Sequence, residues 1–243
     1  MCGACGYERD LSVRTVSEAL ALQDHFEGSA RSPSGSEAAW PKRASLVATA
    51  IRNLCPSGGR ILDVGCNTGL NLFALGPGWE KYGIEPSRAL AEVARAFSGA
   101  TIFQTSVEDF HWQGPKFDVV MSLAVIEHVF DPRSFVEKLL DLLRPGGILV
   151  LMTGDKDSYT ARKMGSRWPL YVSPDHISFF SAKSVRQLLS RCECRVVKEE
   201  WRFMYFHWGL GPVTLRFLMK LMEVAGFVKW PWHDLYYVYC RKA

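Results

Sequence analysis

The chain has 243 residues, 48% of them hydrophobic, enough for one substantial α/β core with an appendage and too few for two full independent domains. Its 29 Lys and Arg against 25 Asp and Glu leave a formal charge of +4, but the basic residues are scattered without a run, which argues against a nucleic-acid partner. Seven mostly dispersed Cys, no window of ~18 uncharged apolar residues and no signal-peptide pattern in MCGACGYERD argue against a disulfide scaffold, a membrane span and secretion, so a cytoplasmic protein is expected.

Residues 1–55 read as an N-terminal helical segment with a mobile lid: a weakly helical pattern from Asp10 to Gln23, then a polar Gly/Ser/Pro break, GSARSPSGS. Pro41 can open the helix PKRASLVATAIRNL, since its missing N–H costs nothing at a first helical position, and CPSGG ends it. Residues 56–243 read as one α/β domain. Within it RILDVG, KYGIE, TIFQ, FDVVMS and GILVLMT are short β-rich runs separated by segments of crossover length. That rhythm predicts a Rossmann-like, doubly wound, mostly parallel sheet with helices on both faces. A Ser-capped helix, SAKSVRQLLSR, follows, then a strand near Arg195 to Trp201 and a last strand, DLYYVYCRK, which completes seven strands; the final two are expected to pair as an antiparallel edge.

ILDVGCNTGLNLFAL carries a strand into a turn with Gly65 and Gly69 and then into a helix, so a ligand can approach backbone where side chains are absent and helix-start N–H groups face it. The dinucleotide pattern GxGxxG would need glycines where Asn67 and Leu70 stand, which counts against a nicotinamide cofactor. Asp63, at the carboxyl end of the strand, would repel a pyrophosphate but can hold an ammonium group. Glu85 closes the next strand 22 residues later, where a carboxylate can accept both hydroxyls of a ribose. Together the two acids suit an adenosine joined to an amino acid.

ILDVGCNTG, YGIEPS, SVEDF, FDVVMSLAVIEHV and LLRPGGILVL resemble the successive motifs of class I S-adenosylmethionine methyltransferases, almost all within residues 60–153. IEHV and PDHISFFS are most similar to the ubiquinone-biosynthesis-like, methyltransferase-23 branch. The resemblance implies S-adenosylmethionine as cofactor and S-adenosylhomocysteine as product. It implies that Gly65, Cys66, Asn67 and Gly69 line the methionine end, Asp63 anchors its polar groups, and Glu85, followed by Pro86, binds the ribose. It further places Val107 beside the adenine, Glu108 on its exocyclic amine, and Leu123 and Ala124 at the close of the pocket. Asn67 departs from the family glycine, but Asn tolerates positive φ better than most residues.

A hydroxyl acceptor must lose its proton as the methyl is transferred, so His176 is the first catalytic candidate and His128 the second; packing or capping is the structural alternative for His128. His176 lies in 154–180, expected to be a lid or substrate loop, with Asp175 beside it to tune it. Trp168, Tyr171 and Phe179 in that stretch suit core packing or an aromatic face near a sulfonium. Cys2-x-x-Cys5 is half of a zinc knuckle without its other half, and no compact carboxylate/His cluster is legible, so no metal is expected.

Residues 202–233 read as an aromatic-rich insertion, for 12 of 30 aromatics fall in the last 43 residues. Its apolar helix can wall the acceptor pocket, form a homodimer interface or make peripheral membrane contact. The expected activity is methylation, chiefly at a hydroxyl, of a small molecule such as a glycan, glycolipid or secondary metabolite. A noncatalytic cofactor-binding or scaffold protein, and a protein or RNA methyltransferase, are the alternatives.

Overall fold

In a computed structural model, residues 8–9, 40–202 and 233–243 are described. The elements in chain order are β1 (Glu8–Arg9), α1 (Trp40–Leu54), β2 (Gly59–Val64), α2 (Leu70–Ala74), β3 (Trp79–Ile84), α3 (Arg88–Ser98), β4 (Thr101–Phe103), β5 (Phe117–Leu123), α4 (Pro132–Leu142), β6 (Leu143–Gly154), α5 (Tyr159–Met164), α6 (Pro169–Val172), β7 (Ser178–Phe179), α7 (Ala182–Arg191), β8 (Cys194–Arg202) and β9 (Leu235–Lys242). The weakly helical stretch, the Gly/Ser/Pro break, Cys2, Cys5 and almost all of the aromatic-rich insertion lie outside the described residues.

The main sheet has seven strands in the order β4-β3-β2-β5-β6-β9-β8. β2 to β6 run parallel, and β9 lies antiparallel between β6 and β8. The two last strands therefore pair as expected, but the final one is not at the edge. Burial explains the order. β9 is covered along Leu235 to Cys240, a run of apolar and tyrosyl side chains suited to an inner position, whereas β8 is half-exposed and carries Lys198, Glu199 and Glu200 on an edge where charges discourage further pairing.

Alternation along the strands divides the interior into two layers. Leu62, Val120, Leu149 and Val238 pack under α4 and α7 through Phe135, Val136, Leu139, Val185 and Leu189. Ile61, Val119, Val150 and Tyr239 pack on the other face with Ile51 of α1, Leu72 of α2 and Ala91 and Ala94 of α3. Local capping fixes where several helices begin. Asp131 accepts from the N–H groups of Arg133 and Ser134 ahead of α4, and Ser181 and Ser184 form a reciprocal capping box at α7.

The 154–180 stretch is largely built rather than an open loop. It holds α5, a single 3₁₀ turn and α6, and ends in β7, which pairs antiparallel with β1. Trp168 is fully buried, edge-on to Tyr171, which in turn meets Phe179 edge-on, so this aromatic chain is core packing. A side chain on Gly154 would run into Leu170 and Trp168, which shows how tightly the stretch sits on the end of β6.

Candidate functional site

β2 ends in a turn that reverses direction within a few residues. Gly65, Asn67 and Gly69 have φ of 74°, 49° and 77°, all left-handed. Asn67 thus takes the conformation its residue type tolerates in place of glycine. A Cβ on Gly65 would meet Val125 Cγ2 at 2.5 Å, and one on Gly69 would meet Ser98 Cβ at 2.7 Å, so these glycines bring the segment after β5 and helix α3 against the turn.

Every N–H from Gly65 to Gly69 is already donated within the chain. Gly65 and Cys66 donate to the Ile84 carbonyl, Asn67 to Glu85 Oε2 at 2.8 Å, Thr68 to Asn67 Oδ1 at 2.7 Å and Gly69 to the Cys66 carbonyl. The N–H groups expected to face a ligand are those of the helix start, from Leu70 on, and lie beyond these five. A phosphate cradle needs the turn's own donors outward, so the turn is not built for an anion. The Cys66 side chain is buried against Gly83, and burial keeps its thiol protonated, so its backbone is the part that faces the turn's surroundings.

Asp63 has the opposite character. It is 1% exposed, and neither carboxylate oxygen has a hydrogen-bond partner. Desolvation, reinforced by the neighbouring charge of Glu85, pushes its pKa up to about 8, with Asn71 alone favouring the charged form and doing so from outside hydrogen-bond geometry. Ionising this acid where it stands would leave a buried charge without a partner. Glu85, also buried, is held at both oxygens, with Oε1 accepting from the Ser87 N–H at 3.0 Å. Those two N–H groups fix the plane of a carboxylate that has four lone-pair directions in all.

The remaining expected contacts spread around the same carboxyl edge. Val107 is buried in the core, Glu108 is exposed, with its carbonyl accepting from Lys138, and Pro86 is exposed next to Glu85. Leu123 is half-buried at the end of β5, and Ala124 is exposed at φ 59° with its N–H bound to the Met152 carbonyl.

Just beyond, the fold brings the two candidate histidines together with Glu127, which the sequence reading did not single out. Glu127, His128 and His176 each bring a ligand-capable atom within 4.8 Å of the others. Glu127 is 4% exposed, and its Oε2 accepts from Thr153 Oγ1 at 3.0 Å. Its carbonyl accepts from the N–H groups of both Ile177 and Ser178, which ties the segment after β5 to the approach to β7. The imidazoles meet edge-on, with ring centres 4.8 Å apart. His176 Nδ1 lies 2.8 Å from the Leu170 carbonyl, and His128 Nδ1 lies 3.0 Å from the Asp175 carbonyl and 3.3 Å from its carboxylate. Asp175 therefore contacts His128 directly and acts on His176 through its charge. Burial lowers the pKa of His176, which favours its neutral form. The expectation of no compact carboxylate/His cluster is thereby overturned: 48 residues separate His128 from His176, and only the built 154–180 stretch joins them.

A seven-stranded sheet of this order, with a glycine turn and two buried acids at its carboxyl edge, has the fold of the S-adenosylmethionine-dependent methyltransferases. It aligns with the 1,6-didemethyltoxoflavin-N1-methyltransferase of Burkholderia thailandensis at TM-score 0.65 and 15% identity, covering 96% of this chain and 93% of that one. Magnesium protoporphyrin IX methyltransferase of Synechocystis aligns at TM-score 0.61 and 13% identity over 93% and 95% of the two chains. The methyltransferase-23 family, described as a methyltransferase domain, matches residues 39–199, and the chain belongs to this family of S-adenosylmethionine-dependent enzymes. Among curated relatives, the ubiquinone biosynthesis O-methyltransferase of Alkalilimnicola ehrlichii is 33% identical over 147 residues, covering 55% of this chain and 57% of that protein. The corresponding protein of Cereibacter sphaeroides strain ATCC 17025 is 34% identical over 117 residues, covering 45% and 47%. The chain thus spans about half the length of the curated relatives it matches.

Proposed function

We propose that the protein transfers the methyl group of S-adenosylmethionine to a hydroxyl of a small molecule, with glycans, glycolipids and secondary metabolites as the acceptor class. The observation that carries the reading is Asp63, a buried carboxylate without a hydrogen-bond partner, set beside a turn whose own N–H groups are spent. Such a site welcomes an ammonium and offers nothing to a pyrophosphate. A phosphate-free nucleoside carrying an amino acid fits it, and a dinucleotide does not.

In this reading Asp63 holds the amino group, Glu85 accepts from the ribose hydroxyls beside Pro86, and Gly65, Asn67 and Gly69 let the ligand approach the turn. Val107 borders the adenine, Glu108 takes its exocyclic amine, and Leu123 and Ala124 close the pocket. The cofactor supplies a methyl on a sulfonium, whose leaving group needs no further activation. Alignment of acceptor and methyl is then the chief task, worth roughly 7–11 kcal/mol when complete. The acceptor oxygen bonds to the methyl carbon, the carbon–sulfur pair returns to sulfur, and the hydroxyl proton must leave. Glu127, His128 and His176 are assigned to activating that hydroxyl. His176 is the first of them, because burial keeps its imidazole available as a lone-pair donor near neutral pH.

Transfer to oxygen rather than nitrogen follows the naming of the ubiquinone biosynthesis relatives, and the small acceptor follows the absence of a basic run. The test incubates the protein with methyl-labelled S-adenosylmethionine and a panel of phenols, sugars and peptides. Label in an alkali-stable methyl ether of a small hydroxylated acceptor supports the reading; label confined to peptides, or none in any acceptor despite cofactor binding, contradicts it.

A further inference from the structure

Helix α3 buries one face and leaves the other bare. Ala91 and Ala94 pack on the sheet, and Ser98 closes against Gly69 of the glycine turn. On the outer side Ala89, Val93, Ala96 and Phe97 are all exposed, at the spacing of one helical stripe. Phe73 of α2 widens it, stacked on Phe97 with ring centres 4.5 Å apart. Phe73 and Phe97 are 53% and 44% exposed and Val93 48%, so the two rings alone leave roughly 200 Å² of aromatic surface in water. Single exposed apolar residues are ordinary, but a stacked aromatic pair continuous with an apolar helix stripe marks a surface that a partner covers.

We propose that the partner is a second copy of this chain, and that the two copies pack their α3 helices antiparallel about a two-fold axis at Val93. The stripe is complementary to itself in that arrangement. With Val93 of each copy on the axis, Phe97 of one lies opposite Ala89 of the other, and Ala96 lies opposite the half-exposed Leu90. A large ring thus meets a methyl group at each end, and the small residues let the helix axes approach to about 8–10 Å. A parallel pairing would set Phe97 on Phe97 and Ala89 on Ala89, too wide at one end and too narrow at the other.

Charge agrees with shape. Glu92 and Arg95 are exposed along the same flank of the stripe, three residues apart, and the two-fold brings Glu92 of each copy alongside Arg95 of the other. The rim then closes with two ion pairs related by symmetry. Arg95 is anchored for this by the Ile102 carbonyl, which accepts from its Nε and Nη2 at 3.2 and 3.1 Å. The apolar centre is smaller than the ~800 Å² per partner of a standard interface, so the dimer belongs at the weak end, with a dissociation constant on the order of 10 µM.

Sedimentation velocity on the full chain, across concentrations spanning that constant, tests the surface, and melting curves of each sample show that it is folded. Wild type should pass from monomer to dimer. Val93→Arg sets two cations face to face on the axis and should weaken the dimer by about 30-fold or more. Glu92→Arg and Arg95→Glu each place like charges across the rim and should each weaken it by about 5-fold. An equal mixture of these two variants restores opposite charges at both rim contacts, and it should form a heterodimer within about threefold of wild-type affinity. Folded wild type that stays monomeric throughout, a dimer that survives Val93→Arg, or a mixture no tighter than its separate components would overturn the proposal. So would a monomer that sediments with vesicles of anionic lipid through Val93, since the stripe would then belong to a lipid surface. None of these outcomes depends on cofactor binding, so failure here leaves the methyltransferase reading untouched.

Discussion

The two ends of the site are built on opposite plans. At the β2–β3 edge, the recognition groups come from two short stretches, Asp63 to Gly69 and Glu85 to Ser87, with their local hydrogen bonds spent on each other and one carboxylate left bare. At the β5–β7 side, Glu127, His128 and His176 are drawn from segments far apart in the chain and held by Thr153, Leu170 and Asp175. The first region leaves a buried acid without a partner, whereas the second is anchored from outside by a hydroxyl and two carbonyls. The difference teaches that the region proposed for the cofactor is specified by adjacent residues and the one proposed for the acceptor by tertiary contact, so substitutions should separate the two cleanly.

The largest separation is expected at Asp63. Asp63→Asn should weaken S-adenosylmethionine binding by about 100-fold or more, since a buried charge pair loses one partner. It should at the same time stabilise the ligand-free protein near pH 8. The sign follows from a folded-state pKa raised to about 8: folding favours the protonated acid, so this group's stabilising contribution is full below the unfolded value near 4 and is lost as pH rises towards 8. Melting curves of wild type and Asp63→Asn should converge near pH 4 and diverge on the way to pH 8. If the two proteins melt alike at both pH values, the carboxylate is not strained as described.

Gly65→Ala should come next. Its Cβ would lie 2.5 Å from Val125 Cγ2 at a φ of 74°, which should cost roughly 2 kcal/mol or more by thermal unfolding and disturb both ends of the site at once. Glu85→Gln should weaken cofactor affinity by about 10-fold, in line with the loss of charge-assisted hydrogen bonds, as calorimetric titration would show. The smallest effect is expected at Asn67. Asn67→Gly keeps the left-handed turn, so calorimetry should find cofactor affinity within about threefold of wild type, while Asn67→Val, β-branched at φ 49°, should lose far more.

The legibility of the chain follows the same division. β2, β3, β5 and β6 are readable because each is a short β-rich run closed by a turn signal, and the Ser-capped start of α7 follows ordinary helix chemistry. The placement of Asp63 and Glu85 at the ends of adjoining strands is legible from their spacing around the glycine turn. The inner position of β9 was not, since nothing local says which neighbour a strand will take; only its unbroken burial against the charged face of β8 decides it. The spent N–H groups of the turn were hidden because the donors' partners, Ile84 and Glu85, come from the next strand. Glu127 was passed over because its significance depends on His176 arriving from 49 residues away. The Glu-His dipeptide at a strand's carboxyl edge was the signal available.

The central claim is that Asp63 is a receptor for the ammonium of S-adenosylmethionine, and calorimetric titration at pH 7 in two buffers of different ionisation heat tests it most directly. The account predicts one-to-one binding that releases close to one proton, because Asp63, with a pKa of about 8, must ionise to hold the ammonium, and near loss of both heat and proton release in Asp63→Asn. Equal heats in the two buffers, equal affinity in Asp63→Asn, or tighter binding of NAD than of S-adenosylmethionine would contradict it.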